Sequence, residues 1–308
     1  FDAWEKIMLD KSQSQSYGSI PPARINQDLA KFLVKASKSL ILNTSVNLSQ
    51  NKQNGLTRQL FLDVSELSQR DSKTGVQRVV KSYLKLFLQF PPKDFCVEPV
   101  FATRDKGYFY ARRFTKSFLG HSEKNEQDSP IRWQRGDIFF GLDMQHHVQL
   151  AQHDFYYHLK KEGVTVKFLV HDLLPIQLSD YFNDKNFKDL HEQWLAMIAA
   201  LDGAICVSKA TSDEFERWLS EKGIMRSPNF YISYVHNGAD IDCTYLPKGL
   251  NEDAKSMLAT FQKCLTILCV STIEPRKQQQ QILEAVERLW DERININLVL
   301  IGYQGWNV

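Results

Sequence analysis

Short, unbroken hydrophobic runs alternate along most of the chain with segments whose apolar residues recur every three or four positions. The runs QLFLDVS, FCVEPVFAT, DIFFGLD, VTVKFLVHDLLP, DGAICVS and YISYV predict strands. The segments GVQRVVKSYLKLFLQF, FKDLHEQWLAMIAAL and KATSDEFERWLSEKG predict helices, and Ser208 is placed to cap the last of these. Continuously apolar strands separated by helices indicate a parallel sheet that is covered on both faces.

The alternation also predicts how the chain is divided. Residues 1–56 are polar and rich in turn formers before one amphipathic stretch, which indicates a linker or adaptor helix. Residues 57–245 predict a complete doubly wound α/β domain. The rhythm then breaks at DIDCTYLPKGLNEDAKSMLATFQ and restarts with LTILCVST, KQQQQILEAVERLW and INLVLIG. Residues 246–308 therefore predict an inter-domain connection and the beginning of a second α/β domain, too short to close a doubly wound sheet alone.

Composition narrows the class of protein. Hydrophobic residues make up 43% and charged residues 24%, as in ordinary globular proteins, and a net charge of +2 argues against nucleic acid as the main partner. The five cysteines are scattered without metal-binding spacing, so we expect free thiols in a reducing compartment. No apolar stretch reaches the roughly 18 residues of a membrane span, and no signal peptide opens the chain. We therefore expect a cytoplasmic protein, and the initial Phe1 suggests a piece of a longer chain.

Candidate chemistry lies at the turns that follow strands, because ligands of α/β sheets bind at the carboxyl ends of strands. Gly75 precedes a predicted helix, where a missing side chain lets a ligand approach the backbone; a plain helix-start glycine is the alternative. His171 and Asp172 directly follow the most apolar strand. A histidine there can donate a proton to an oxygen that gains charge, although Asp172 could equally orient a structural histidine or cap the next turn.

Two further turns carry polar residues. His236 stands at the end of YISYV beside Asn-Gly, which is also a strong turn signal and can be purely structural. Arg276 and Lys277 lie between a strand and the start of a helix, where cations oppose the helix dipole. They are explained if an anion neutralises them, and a diphosphate suits an arginine fork with a lysine point charge. A solvated surface is the alternative.

The order of these segments resembles a known family. DVSELSQRDSKTGVQRVVKSYL, EPVFATRDKGYFYARRF, GDIFFGLD, VHDLLPIQLSDYF, DGAICVSKATSDE, HNGAD and VSTIEPRKQ together resemble the retaining glycosyltransferases of family four, especially bacterial enzymes that build surface polysaccharides such as O-antigen. The resemblance covers about residues 59–308. It implies the GT-B fold, in which an acceptor-side Rossmann-like domain is followed by a Rossmann-like domain for the nucleotide sugar, and it implies catalysis without a metal ion.

The resemblance also implies roles for individual residues. Arg276 and Lys277 would bind the donor diphosphate, and Gly75 would belong to the loop near donor and acceptor. His171, with Asp172, would line the reaction centre. Acceptor-side contacts are expected from Asp143, at the end of DIFFGLD, and from His236.

Two positions depart from the family pattern. Thr272 stands near the diphosphate where the family often has an arginine, and Gln278 stands where a glycine usually follows the lysine. The family's E-x7-E motif is not found before Val308, so we expect the 308 residues of this chain to be inactive as a transferase on their own.

The resulting hypothesis is a hexosyltransferase with retention of anomeric configuration. Its co-substrate is a nucleoside diphosphate sugar, with GDP-mannose as the first choice, and no cofactor is expected. The acceptor would be a growing glycan or a lipid-linked glycan, which is compatible with peripheral association with the inner face of a membrane and with membership of a larger multidomain chain. The alternatives are a non-catalytic GT-B glycan-binding module of a polysaccharide synthase and an unrelated nucleotide-binding α/β enzyme such as a sugar epimerase.

Overall fold

The computed structural model describes residues 57–72, 74–120, 127–182, 186–238, 252–261 and 263–305. The predicted linker or adaptor helix at residues 1–56 and the predicted domain boundary after residue 245 lie outside these residues. The chain divides into two compact units, residues 1–173 with 189–237 and residues 174–188 with 238–308. The sequence-based division at residue 245 stays a prediction.

The first unit is built on a mixed, mostly parallel sheet. Within the described residues it has seven strands in the order β3-β2-β1-β4-β5-β6-β7, and only the β2–β3 pair is antiparallel. The strands are β1 (Arg58–Asp63), β2 (Phe95–Phe101), β3 (Phe109–Tyr110), β4 (Ile138–Gly141), β5 (Thr165–Val170), β6 (Gly203–Cys206) and β7 (Tyr231–Tyr234). The predicted α/β class and parallel sheet are therefore confirmed.

Successive side chains along the central strands point to opposite faces, and both faces are buried. Leu60 and Leu62 of β1 contribute to one core, which also contains Val80 and Leu84. On the other face Phe139 packs edge-on against Tyr108, with ring centroids 4.9 Å apart. A strand that is covered on both sides needs apolar residues at most positions, which explains the hydrophobic runs in the sequence.

Gly141 at the end of β4 shows how tightly this sheet is packed. A Cβ atom at this position would lie 2.1 Å from the ring of Phe168 on β5. Because no side chain fits there, the glycine allows the aromatic ring to cover the end of the neighbouring strand.

Helices cover the sheet of the first unit. They are α1 (Ser65–Gln69), α2 (Gly75–Gln89), α3 (Arg112–Phe118), α4 (His146–Ala151), α5 (His153–Lys161), α7 (Phe187–Ala199), whose first two residues fall in the second unit, and α8 (Lys209–Glu221). Ser208 caps α8 as predicted, since its side chain accepts a hydrogen bond from Thr211 N. None of the helices in the described part of the chain is long and apolar enough to cross a membrane.

One element boundary was predicted wrongly. The apolar run from Val164 to Pro175 predicts a single long strand, but β5 ends at Val170 and a short helix, α6 (Leu174–Gln177), follows. Pro175 is the second residue of this helix, where the backbone N–H has no intrahelical partner in any case, so a proline is tolerated there.

The second unit contains a small parallel sheet. Its described elements are α6, α9 (Glu252–Phe261), β8 (Leu265–Val270), α10 (Gln279–Asp291) and β9 (Ile296–Ile301). β8 and β9 pair in parallel from Leu265 opposite Ile296 to Val270 opposite Ile301. This is one strand-helix-strand unit, as predicted.

Candidate functional site

The candidate site in the first unit lies at the carboxyl edge of the large sheet. β1 pairs with β2 on one side and with β4 on the other, so the strand order reverses between β1 and β4. Ligands of open α/β sheets bind at such a switch point, beyond the carboxyl ends of the strands. Asp143 follows β4, His171 follows β5 and His236 follows β7, so the fold brings these predicted residues to one edge.

His171 is a buried imidazole at this edge. Its exposed fraction is 8%, and burial lowers its pKa to about 4, so the ring is neutral near pH 7. Its Nε2 has no hydrogen-bond partner among the described residues. Its backbone carbonyl accepts a hydrogen bond of 3.4 Å from the hydroxyl of Thr211 on α8. A buried polar atom that the surrounding fold does not satisfy is one that a bound ligand can satisfy.

Asp172 is half-buried and follows His171 in the chain. Its carbonyl oxygen accepts a hydrogen bond of 3.1 Å from Nε2 of His191, a fully buried histidine of α7. The hydrogen bond with His191 is made by the backbone of Asp172, and the chemistry that the sequence predicted for its side chain stays a prediction.

Asp143 is almost fully buried, and its carboxylate holds a helix. One oxygen accepts from Leu67 N in the first turn of α1 at 2.6 Å, and the other accepts from Met144 N at 2.9 Å. Burial raises the pKa of Asp143 to about 7. These contacts give Asp143 a structural task in addition to the acceptor role that the sequence predicted for it, which stays a prediction.

A second buried carboxylate, Asp63, was missed by the sequence-based reasoning. It ends β1 and accepts hydrogen bonds from Ser65, from the Tyr108 hydroxyl at 2.8 Å and from the Gln149 amide at 3.1 Å. Tyr156 extends the chain, with its hydroxyl 2.7 Å from that of Tyr108. Burial raises the pKa of Asp63 despite these bonds. The sequence signal, an aspartate two residues before a serine at a strand end, is too common to identify the network.

Gly75 is the first residue of α2, and Thr74 caps that helix by accepting from Gln77 N. A Cβ atom at Gly75 would meet no heavy atom within 4 Å. Packing within the described residues therefore does not require a glycine here, so the prediction that its backbone serves a ligand stays open.

His236 is exposed and lies edge-on to Tyr234, with ring centroids 5.6 Å apart. The adjacent Asn237 accepts a hydrogen bond of 2.7 Å from the Tyr83 hydroxyl on α2. The His-Asn-Gly segment is thus tied to the body of the first unit by its asparagine, while the histidine side chain faces solvent.

Three of the four predicted diphosphate residues, Thr272, Arg276 and Lys277, lie in the second unit between β8 and α10, and the fourth, Gly75, lies in the first unit. A short 3-10 turn at Pro275–Lys277 separates the strand from the helix. Arg276 forms an ion pair with the buried Glu274, with Nη2 and Oε1 2.7 Å apart. Thr272 and Lys277 are exposed beside it. The charge of Arg276 that the sequence left unexplained is thus offset by a carboxylate two residues away.

Gln278 occupies the position where the resemblance implies a glycine. Its φ is 57° and its ψ is 33°, which is the left-handed region that favours glycine. The backbone therefore keeps the conformation that suits glycine although the residue has changed. Gln279 holds the helix start to the strand end by donating to Ser271 Oγ and to the Thr272 carbonyl.

Comparison with curated proteins gives three matches, all described as the serotype-specific mannosyltransferase WbdA of Escherichia coli. The chain is 33%, 32% and 32% identical to them over 259 residues, which is 82% of this chain and 31%, 30% and 31% of theirs. The chain thus spans about a third of the length of the curated relatives it matches. No family model matches the chain, and no solved structure matches it. The resemblance to bacterial surface-polysaccharide mannosyltransferases is confirmed.

Proposed function

We propose that this chain is part of a retaining glycosyltransferase with the GT-B fold, which transfers mannose from GDP-mannose to a growing surface glycan or lipid-linked glycan. The observation that carries the proposal is His171, a buried neutral imidazole with an unpartnered Nε2 at the carboxyl end of β5. Support comes from the similarity over 82% of the chain to serotype-specific mannosyltransferases. No metal-dependent step is invoked.

In this proposal the unpartnered nitrogen of His171 contacts an oxygen of the transferred sugar. A neutral imidazole can donate or accept a hydrogen bond there without placing a full positive charge beside an anomeric carbon that becomes electron-poor. Fixed in a buried position, the ring needs no reorganisation as the glycosidic bond to the diphosphate breaks.

Arg276 and Lys277 serve the leaving nucleoside diphosphate. Arg276 is held by Glu274, so its guanidinium is oriented before the ligand binds, and Lys277 adds an exposed charge from the same turn. The two cations stabilise the negative charge that develops as the bond breaks. The proposed protein is cytoplasmic and acts at the inner face of a membrane, where its acceptor is held.

The experiment that tests the diphosphate site is a binding titration of the complete natural protein with GDP, UDP and dTDP. We expect GDP to bind, and Arg276→Ala and Lys277→Ala each to weaken binding by about 1 to 3 kcal/mol, the size of a lost charge-assisted hydrogen bond. Arg288→Ala, which removes an exposed cation from the last turn of α10, the helix that follows the Pro275–Lys277 turn, is the matched control and leaves affinity unchanged.

Glu274→Gln gives a test of opposite sign. Gln at position 274 still offers an oxygen to the Arg276 guanidinium, so the orientation is kept while a negative charge beside the nucleotide is removed. If Arg276 binds the diphosphate, we expect nucleotide binding to strengthen; an unchanged affinity would place Arg276 away from the diphosphate. Absence of binding by all three nucleotides would favour the non-catalytic glycan-binding module, for which the motivating observations are Thr272 and Gln278, the two departures from the family pattern.

The catalytic part is tested by transfer assays. We expect His171→Phe to lower kcat on the order of 100-fold, the size typical of one lost preorganised hydrogen bond at the reaction centre, while GDP affinity stays unchanged. The NMR coupling of the anomeric proton in the product distinguishes retention from inversion. Full activity of His171→Phe would remove His171 from the reaction centre.

A further inference from the structure

Two buried histidines of the first unit contact each other and the backbone beside His171. His146 is the first residue of α4, and His191 lies on α7. Nε2 of His146 is 2.8 Å from Nδ1 of His191, and Nε2 of His191 is 3.1 Å from the carbonyl oxygen of Asp172. The three groups form a continuous chain of hydrogen bonds that ends at the strand turn.

The chemistry of these atoms fixes where the protons lie. A carbonyl oxygen only accepts, so Nε2 of His191 must carry the hydrogen. Burial lowers the pKa of His191 to about 4 and that of His146 to about 3, so both rings are neutral near pH 7. A neutral ring has one N–H, and Nδ1 of His191 is therefore an acceptor. His146 must then donate from its own Nε2.

The surroundings of the pair keep this arrangement rigid. His191 is fully buried and His146 nearly so, and Trp194 packs against both rings, with centroids 5.4 Å and 5.2 Å away. The charged or titratable neighbours that act on the pair are His147 for His146 and Glu192 for His191. Glu192 is itself paired with Lys222 at 3.1 Å. A polar chain in such apolar surroundings is costly unless every atom is satisfied, which favours one defined orientation.

This chain of hydrogen bonds ends at the backbone that follows His171. The carbonyl of His171 is held by Thr211 from α8, and the next carbonyl, of Asp172, is held by His191 from α7. With two consecutive carbonyls fixed by side chains from two helices, the backbone that carries the His171 ring has little freedom to rotate.

We propose that His146 and His191 are positioning residues, a two-histidine relay that fixes the Asp172 carbonyl and thereby the direction of the His171 ring. The inference rests on the proposed role of His171 in glycosyl transfer. It adds that His191 sets the geometry of the strand turn, and that His146 sets which nitrogen of His191 carries the proton. Neither side chain contacts substrate in this proposal.

The first test is the protonation pattern itself, read by two-bond ¹H–¹⁵N NMR of the histidine rings at pH 7. We expect both His146 and His191 as neutral rings with the proton on Nε2. A proton on Nδ1 of His191, or a charged ring, would overturn the relay whatever the activity of the protein. This measurement needs no substitution, so a variant that fails to fold does not prevent it.

The second test compares three variants of the complete natural protein in transfer assays. His191→Phe keeps a ring but removes both hydrogen bonds, and we expect kcat to fall up to about 100-fold with KM for the donor little changed, as for misplacement of a reacting group by about 1 Å. His191→Gln can donate to the Asp172 carbonyl from its amide nitrogen and accept from His146 with its oxygen. We expect it to restore most of kcat, which a purely space-filling role would not predict. We expect kcat of His146→Phe to lie between the values for His191→Phe and His191→Gln.

The outcomes separate the two proposals. If His171→Phe abolishes transfer but His191→Phe does not change kcat, the relay is wrong and the proposed function stands. If the expected tautomers and the loss in His191→Phe are both observed but His171→Phe is fully active, the relay positions some other group, and the proposed role of His171 is wrong. Equal loss in His191→Gln and His191→Phe would show that ring shape, and not hydrogen bonding, is what matters.

Discussion

Strands β5 and β8 have similar sequences and very different surroundings. β5 reads TVKFLV and β8 reads LTILCV, and each has six residues in a parallel sheet. Val170, the last residue of β5, is fully buried, whereas Val270, the last residue of β8, is 66% exposed. β5 pairs with strands on both sides, while β8 pairs within the described residues only with β9. The pattern predicts a strand in both cases, but burial is decided by the neighbours that a strand acquires.

The largest expected difference comes from matched leucine truncations. Leu169→Ala in β5 removes a buried side chain, and we expect it to lower the free energy of unfolding of the first unit by about 3 kcal/mol. Leu268→Ala in β8, where the side chain is 59% exposed, should cost less than about 1 kcal/mol. Urea unfolding with hydrogen exchange on peptides from each strand measures both. Equal losses would mean that β8 is covered as β5 is, and the comparison would fail.

The second prediction, with an effect of intermediate size, is that the stability of the first unit depends on pH near neutrality more than that of the second unit. All eight histidines precede residue 237, and none lies in residues 174–188 or 238–308. The pKa of His191 is about 4 in the folded state and near 6.5 when unfolded. Between these values the unfolded chain binds the additional proton, so stability falls as pH falls below 6.5.

His191→Gln removes this titration. Relative to the natural chain, we expect the variant to gain roughly 2 kcal/mol in stability of the first unit between pH 7 and pH 5, from about 1.5 pH units at 1.36 kcal/mol each. Urea midpoints of both proteins at the two pH values give the difference. The absence of any pH-dependent difference would show that His191 is accessible to protons in the folded state.

The smallest expected effect concerns the left-handed residue of the second unit. Gln278→Gly relieves the steric cost of a side chain at φ 57°, and we expect stability of the second unit to rise by about 1 kcal/mol. Gln281→Gly, three residues further into α10, is the matched control and should lower stability by about 1 kcal/mol. Hydrogen exchange of α10 reports both changes. The same sign for both would contradict the left-handed assignment.

The sequence predicted what depends on local pattern. The long helix α2, the Ser208 cap and the described strands of both units all follow from periodicity and from residues close in sequence. The exception is the two-residue strand β3. The end of β5 was misplaced because an apolar run does not distinguish a buried strand from a strand followed by a buried helical turn.

The candidate site was predictable only in part. The residues at strand ends indicated His171 and Arg276, and the resemblance indicated Asp143, because each of these rests on short-range order. The pairing of His146 with His191 joins residues 45 apart, and the Tyr108–Tyr156 contact joins residues 48 apart. No local pattern encodes such contacts, since they exist only after helices have packed onto the sheet.

The position of β1 between β2 and β4 has a consequence for synthesis on the ribosome. β1 can pair with β2 once residue 101 has emerged, but its other edge has no partner until Ile138–Gly141 appears. During the synthesis of these roughly 40 residues, at about 5–20 residues per second, the nascent chain carries an open and strongly apolar strand edge. Such an edge is a template for pairing with other chains. Chaperones that bind extended hydrophobic segments can cover this edge during that stretch of translation.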